Sequence, residues 1–279
     1  MSLDFSNKPE LAALSHLVRA LQRVADPLGI PFFLMGAAAR DLMVHYAHGI
    51  ELHRATQDAD FAVMVRHWKG YGELRSALIG GRDFSSQPGP ATHRLHHRSG
   101  MPLDIVPFGG IERQDRTFAW PPDEREVFDC FGVDEAFAAS VEVTLPEETL
   151  VRVAPVTALA ILKITAWRDR KYTHPGRDAR DLFLFLRHYM DLGNLDRAAA
   201  EHPDLFAVAD FDHVEAGATL LGRDMVALVG EGGCEPLLSI LRPETDEQGA
   251  LLLAAQSGME IGRARRLLEV LCAGLEKNG

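Results

Sequence analysis

A chain of 279 residues with 47% hydrophobic content has enough apolar side chains for one large core or two smaller ones. A net charge of −11 argues against a broadly basic nucleic-acid footprint. The scattered cysteines Cys130, Cys234 and Cys272 rule out a CxxC pair or a disulfide framework, which points to a reducing cytoplasm.

Residues 9–25 carry Leu11, Leu14, Leu17, Val18, Leu21 and Val24 at helical spacing, with Ser6 or Asn7 placed to cap the start and residues 26–29 ending the run. Residues 30–35 read as an apolar strand closed by Gly36, and 37–46 as a helix that begins right after that glycine. Residues 48–57 are polar and loop-like. Over 58–65, Phe61, Val63 and Val65 alternate with Asp60, Ala62 and Met64, which is the period of a strand. A helix over 68–79 follows, then a Pro88-Gly89-Pro90 turn, a strand over 93–97, a hairpin turn at Ser99-Gly100 and a second apolar strand over 102–108. Short strands at 141–145 and 150–153 precede a long helix opened by Pro155. Residues 173–176 break that helix, 177–189 form another, and the remainder to 275 is mostly helical in pattern. Strands before residue 154 and helices after it predict an α+β (α/β) chain, with domains at 1–150 and 151–279. No apolar run nears the roughly 20 residues of a membrane-spanning helix, and the N-terminus shows no basic, apolar leader.

The chemistry centres on Asp58 and Asp60. Side chains one residue apart on a strand share a face. Asp104 sits inside the second apolar strand and can join them from a neighbour. Three clustered carboxylates repel, and a carboxylate amid apolar residues is costly unless it is paired or metal-bound. Mg²⁺ offers a reason for the cluster, because it takes oxygen ligands and is held by a few carboxylates plus substrate phosphates. A strand ending in Gly36 before a helix start is a phosphate-binding shape, since glycine admits close backbone approach and the helix end attracts anions. Arg40 lies on the first turns of that helix. The alternative is an ordinary strand-to-helix turn, and neither GxxxxGK[ST] nor GxGxxG occurs.

Other groups have simpler readings. His93 and His97 would share a strand face and suggest zinc, but a polar face is the simpler account. His45 and His48 read as solvated, and Trp68, Trp120 and Trp167 as core or interface anchors. Residues 151–189 hold eight Lys or Arg against three Asp, a local +5 that leaves −16 for the rest. Within them Lys163 sits in an apolar stretch, followed by Arg170, Arg177-Asp178 and Arg180-Asp181. Either these basic groups hold a triphosphate, with Asp178 and Asp181 orienting them, or the set is a salt-bridge network on helix faces.

Gly36-Ala37, then Arg54-Ala55-Thr56-Gln57-Asp58-Ala59-Asp60-Phe61, then Asp104, resembles the DNA-polymerase-β-type nucleotidyltransferase superfamily. Val153-Ala154-Pro155, Lys163, Arg170 and Arg177-Asp178-Ala179-Arg180-Asp181-Leu182 narrow the resemblance to the AbiEii-type toxin nucleotidyltransferases of type IV toxin–antitoxin systems, over about residues 30–190. The run from Gly36 through Arg40-Asp41-Leu42 is also similar to the helix start of tRNA CCA-adding enzymes. The resemblance implies a mixed central sheet flanked by helices, and a helical C-terminal domain that completes the nucleotide and acceptor site. It implies Asp58, Asp60 and Asp104 as ligands of two Mg²⁺ ions, with Mn²⁺ as the alternative, and Asp104 as the base. Gly36 and Ala37 would cradle phosphates. Arg40, Thr56, Lys163, Arg170, Asp178 and Asp181 would serve the nucleotide. Ala37 departs from the family's Gly or Ser but keeps its backbone N–H.

The implied reaction moves an NMP from an NTP, ATP among them, to an acceptor hydroxyl with release of pyrophosphate. The acceptor is a tRNA or other RNA end, a protein or a small molecule such as an antibiotic, and a cognate antitoxin is the implied partner. A non-catalytic nucleotide sensor on the same scaffold is the second reading. Zinc hydrolysis through His93 and His97 is the third.

Overall fold

In the computed structural model, which describes residues 3–52, 56, 58–86 and 93–276, the chain opens on a two-residue strand, β1 (Leu3–Asp4). A 3₁₀ turn, Pro9–Leu11, leads into α1 (Ala12–Ala25), which buries Leu14, Leu17, Val18 and Leu21. Neither Ser6 nor Asn7 caps it. The Ser6 backbone N–H instead donates to the Asp4 carboxylate, and Pro9 begins the turn, where a missing N–H costs nothing.

The strand β2 (Phe32–Met35) follows, then α2 (Gly36–Arg40). The helix predicted over 37–46 does not continue in one form, because Asp41–Tyr46 widens into a π-helical turn. The strand β3 (Ala59–Val65) and α3 (Trp68–Gly80) match the alternating and helical periods. The His67 ring accepts from the Gly70 N–H and caps α3. Next come β4 (Phe84–Ser85), β5 (Arg94–His97) and β6 (Pro102–Gly109). Beside the short strands β1 and β4, three further elements had no sequence signal: the paired strands β7 (Thr117–Ala119) and β8 (Val127–Asp129), and α4 (Val133–Ala139). The strands β9 (Val141–Leu145) and β10 (Thr149–Val153) complete a mixed eight-stranded sheet in the order β1-β9-β10-β2-β3-β6-β5-β4. The Pro88-Gly89-Pro90 turn, Arg54, Ala55 and Gln57 lie outside the described residues.

The chain divides into two compact units, Met1–Pro155 and Val156–Gly279. The sheet belongs to the first. Its core joins Phe33, Phe108 and Phe137, and a second aromatic group joins Trp68, Tyr71, Phe118 and Trp120.

The second unit is helical: α5 (Val156–Arg170), α6 (Arg177–His188), α7 (Leu195–Glu201), α8 (His213–Val229), α9 (Glu231–Leu241), α10 (Leu252–Ala255) and α11 (Ile261–Glu276). The helices α8 and α11 approach closely at two glycines. A Cβ on Gly222 would sit 2.5 Å from the Leu271 carbonyl oxygen, and one on Gly274 2.3 Å from that of Thr219. Trp167 is buried, with its indole N–H on the Gln256 side chain at 2.9 Å. No described helix is long and apolar enough to cross a membrane.

Candidate active site

Register across four strands gathers the chemistry into one row. The antiparallel pair β2/β3 sets Met35 opposite Asp60, the parallel pair β3/β6 sets Asp60 opposite Asp104, and the antiparallel pair β5/β6 sets Asp104 opposite Arg94. Residues paired in this way project from the same face, close enough for their side chains to meet. Asp58 lies just before β3, at the same end. Asp104 is 8% exposed although its strand neighbours Leu103 and Ile105 are apolar. Its partner explains how it is tolerated. Arg94 Nε donates to Asp104 Oδ1 at 2.7 Å, and Arg94 Nη2 donates to Asp104 Oδ2 at 2.5 Å and to Asp58 Oδ2 at 3.2 Å. The hydrogen bonds to Asp104 hold the guanidinium pKa above its ordinary value against the opposing effect of burial, and the charges of Asp104, Asp58 and Asp60 add to the rise.

Gly36 is needed for two reasons. Its φ is +68°, a left-handed conformation that a side chain disfavours. A Cβ there would lie 2.0 Å from Asp60 Oδ2. The Asp60 carboxylate therefore occupies the space a side chain would take, against the first turn of α2. Ala37, which follows, is buried.

Arg40 and Thr56 are brought together, but on Asp41. Arg40 is only 2% exposed, and its Nε and Nη2 donate to Asp41 Oδ1 at 2.9 and 2.6 Å. The Thr56 hydroxyl donates to the other oxygen of Asp41 and receives Arg40 Nη2 at 3.4 Å. A direct phosphate contact from Arg40 would have to break this buried pair. Together the three residues brace α2 against the segment leading to Asp58. Beside them opens a cavity of about 470 Å³, lined by Ala38, Asp41, Leu42, Tyr46, Thr56 and Asp58, with Glu10 and Glu51 at its wall. Burial raises the Tyr46 phenol pKa, with smaller contributions from Glu10 and Asp41.

The predicted residues of the second unit also form a set. Lys163 Nζ lies 3.0 Å from Asp178 Oδ1 and 2.7 Å from Asp181 Oδ2, and Arg170 donates to both oxygens of Asp178 at 2.6 and 2.8 Å. Lys163, Asp178 and Asp181 are buried. Burial alone would raise the Asp178 pKa, but the Arg170 hydrogen bond and the Lys163 charge outweigh it and hold the carboxyl below its ordinary range. The salt-bridge alternative describes this arrangement, although the network is buried and not on a surface.

Zinc at His93 and His97 finds no support in the geometry. His97 is buried with Nδ1 on the Ser99 hydroxyl at 2.8 Å, while the His93 ring lies 5.5 Å from that of Trp120. Among the described residues no three His, Cys, Asp or Glu side chains converge as they stand on a point that could hold an ion. The donor chemistry of Asp58, Asp60 and Asp104 still suits a hard divalent cation, because all three offer only carboxylate oxygens. What stands between Asp58 and Asp104 is Arg94 Nη2. Sequence reasoning missed Arg94, and its one signal was a cation within a histidine-rich strand, two positions from His96.

The chain is similar to several known proteins. Residues 19–218 match the family described as "Nucleotidyl transferase AbiEii toxin, Type IV TA system". An antigenic nucleotidyltransferase-like protein from Paracoccidioides brasiliensis is 18% identical, with 70% of this chain and 90% of that chain covered at a TM-score of 0.42. The antibiotic-resistance factor ANT(2'')-Ia is 15% identical, with 70% and 95% covered at a TM-score of 0.39. A CCA-adding enzyme from Thermotoga maritima, solved in complex with tRNA, is 13% identical, with 94% and 80% covered at a TM-score of 0.26. No curated protein matches.

Proposed function

The chain belongs to the AbiEii nucleotidyltransferase family, and from that premise we propose that it transfers an NMP from an NTP to an acceptor hydroxyl, with Mg²⁺ or Mn²⁺ as the ion. The observation that carries this reading is the row Asp60–Asp104, flanked by Asp58 and by a glycine whose missing side chain makes room for Asp60. Asp58, Asp60 and Asp104 would hold the ion, which when bound polarises phosphoryl oxygens and offsets carboxylate charge.

The chain's own residues supply the rest. The backbone at Gly36 and Ala37 receives phosphates at the start of α2. Arg40, Asp41 and Thr56 hold that helix in place. In the reaction the acceptor oxygen bonds to the α-phosphorus, the α–β bridging P–O bond breaks, and pyrophosphate leaves. The acceptor proton passes to Asp104, whose two oxygens each accept a hydrogen bond from Arg94 and each keep a second lone pair. Lys163, Arg170, Asp178 and Asp181 act as a fixed network joining α5 to α6, and a nucleotide contact by Lys163 would give up that pairing.

A second reading concerns the acceptor. The cavity beside Asp58 presents Glu10, Asp41, Glu51 and Asp58. Such a lining favours a small cationic or neutral hydroxyl compound over an RNA end, whose phosphates it repels. A cognate antitoxin fits the family's description, and the protein would be cytoplasmic.

The test is incubation with each α-labelled NTP and Mg²⁺, offering in turn total RNA, lysate protein, the enzyme itself and a panel of hydroxyl-bearing amines. Label transfer is expected with one acceptor class and is expected to vanish in the Asp58→Asn, Asp60→Asn double variant. Undiminished transfer by that variant would refute the assignment.

A further inference from the structure

We infer that Arg94 is a positioning residue that occupies the cation's place between Asp58 and Asp104, so that a divalent ion and Arg94 compete for the same carboxylates. The inference rests on reading Asp58, Asp60 and Asp104 as the metal ligands. Three features of the structure carry it.

The first is that one guanidinium nitrogen serves two carboxylates: Arg94 Nη2 is 2.5 Å from Asp104 Oδ2 and 3.2 Å from Asp58 Oδ2. With Nε on Oδ1 at 2.7 Å, neither oxygen of Asp104 remains without a donor. A planar fork matched to a carboxylate in this way is a strong, directional contact. An ion seeking the same lone pairs must remove it.

The second is charge. Arg94 brings a single positive charge to Asp58 and Asp104, and the charge of Asp60 acts on it as well. A doubly charged ion at the same point gains more from the cluster than a guanidinium does, by the ordinary dependence of Coulomb energy on charge. Without either cation, three carboxylates at one end of two strands would repel one another and pay for incomplete solvation. Arg94 thus keeps the ligands in place until the ion arrives.

The third is the ease of release. The Arg94 side chain is 41% exposed, so its leaving head group returns to water. Its strand does not depend on the contact. Leu95 is fully buried and pairs with Leu103, and His96 pairs with Pro102, so β5 stays in register when the guanidinium swings away. Once displaced, the guanidinium remains on the sheet face that holds the carboxylates. There it can pair with an incoming triphosphate, the anion for which its fork is best shaped.

The competition predicts effects of opposite sign, which a merely structural arginine would not give. Mn²⁺ binding, followed by electron paramagnetic resonance without nucleotide, should tighten by at least about tenfold in Arg94→Gln, since one competing positive charge a few ångströms away is gone. The metal-free variant should melt lower than wild type, and Mn²⁺ should restore much of that loss. In NMP transfer the same variant should show a raised KM for NTP. Arg94→Lys, which keeps the charge but loses the fork, should fall between the two in Mn²⁺ affinity. Weaker or unchanged Mn²⁺ binding by folded Arg94→Gln, with binding lost in Asp60→Asn, would sink the competition and leave the metal assignment standing. If wild type, Arg94→Gln and Arg94→Lys all fail to bind Mn²⁺, the metal assignment fails and takes the inference with it. Should Arg94→Gln not fold without metal, refolding in the presence of Mn²⁺ is the supporting result and failure to refold there the opposing one.

Discussion

Two groups of aspartates in this chain make opposite use of the same chemistry. In the helical unit, Asp178 and Asp181 meet Lys163 and Arg170, and of these four Arg170 alone reaches solvent appreciably, at 39% exposure. In the sheet unit, Arg94, itself 41% exposed, bridges Asp58 and Asp104 beside Asp60. The first group is buried, so a ligand entering there would have to break pairs already made. The second lies behind a cation that can leave. Burial and access, more than residue identity, separate a group that fixes the fold from one suited to chemistry.

Substitutions can strain that contrast from either side. The largest stability loss is expected from Asp178→Ala, which strands Lys163 in the interior with one partner. Breaking one member of a buried ion pair costs about 3–5 kcal/mol. Hydrogen exchange in α5 and α6 should rise accordingly, and if it does not, the network is not the node described above. Gly36→Ala should act chiefly on the other group. The left-handed φ costs about 1–2 kcal/mol. The overlap with Asp60 should displace its carboxylate, and a misplacement of about 1 Å can lower turnover by roughly 100-fold. Steady-state transfer kinetics beside a melting curve would separate the two effects.

Acid offers a third test. The folded-state pKa of Asp178 lies below its ordinary 3.8, so the stability it contributes is complete above that value and is lost as pH falls below it. Wild type should therefore lose helical-unit stability more steeply than Asp178→Asn when pH is lowered from 5 toward 2, a comparison readable by far-ultraviolet circular dichroism. The smallest effect should come from Arg170→Ala. Asp178 keeps Lys163, and a cation this exposed contributes about 1 kcal/mol at most after solvent screening. A loss as large as that of Asp178→Ala would show that Arg170, not Lys163, holds the node together.

Much of this was legible in the sequence where two demands conflicted. Asp60 and Asp104 stand out because a carboxylate within an alternating apolar strand contradicts its surroundings, and Gly36 because a strand ends there and a helix begins. The division between strands and helices near residue 154 followed from period alone. The rest depends on partners distant in sequence. Arg94 finds Asp104 only through the register of β5 on β6. Leu3 pairs with Val143, and no local pattern announces so remote a strand. Arg40 and Thr56 read as phosphate contacts until Asp41, next in sequence to one and facing the other, takes both. The short elements β7, β8 and α4 carry too few residues for a period to emerge.

The row Met35, Asp60, Asp104 and Arg94 also works as an assembly check. Because side chains alternate, a slip of β6 by one residue along β3 would turn Asp104 away from Asp60 and carry Leu103 and Ile105 from the opposite face onto the side it left. A misregistered chain therefore forfeits its apolar core and its reactive row in a single error, and a chain whose core has closed correctly has its three carboxylates and their arginine aligned by the same step.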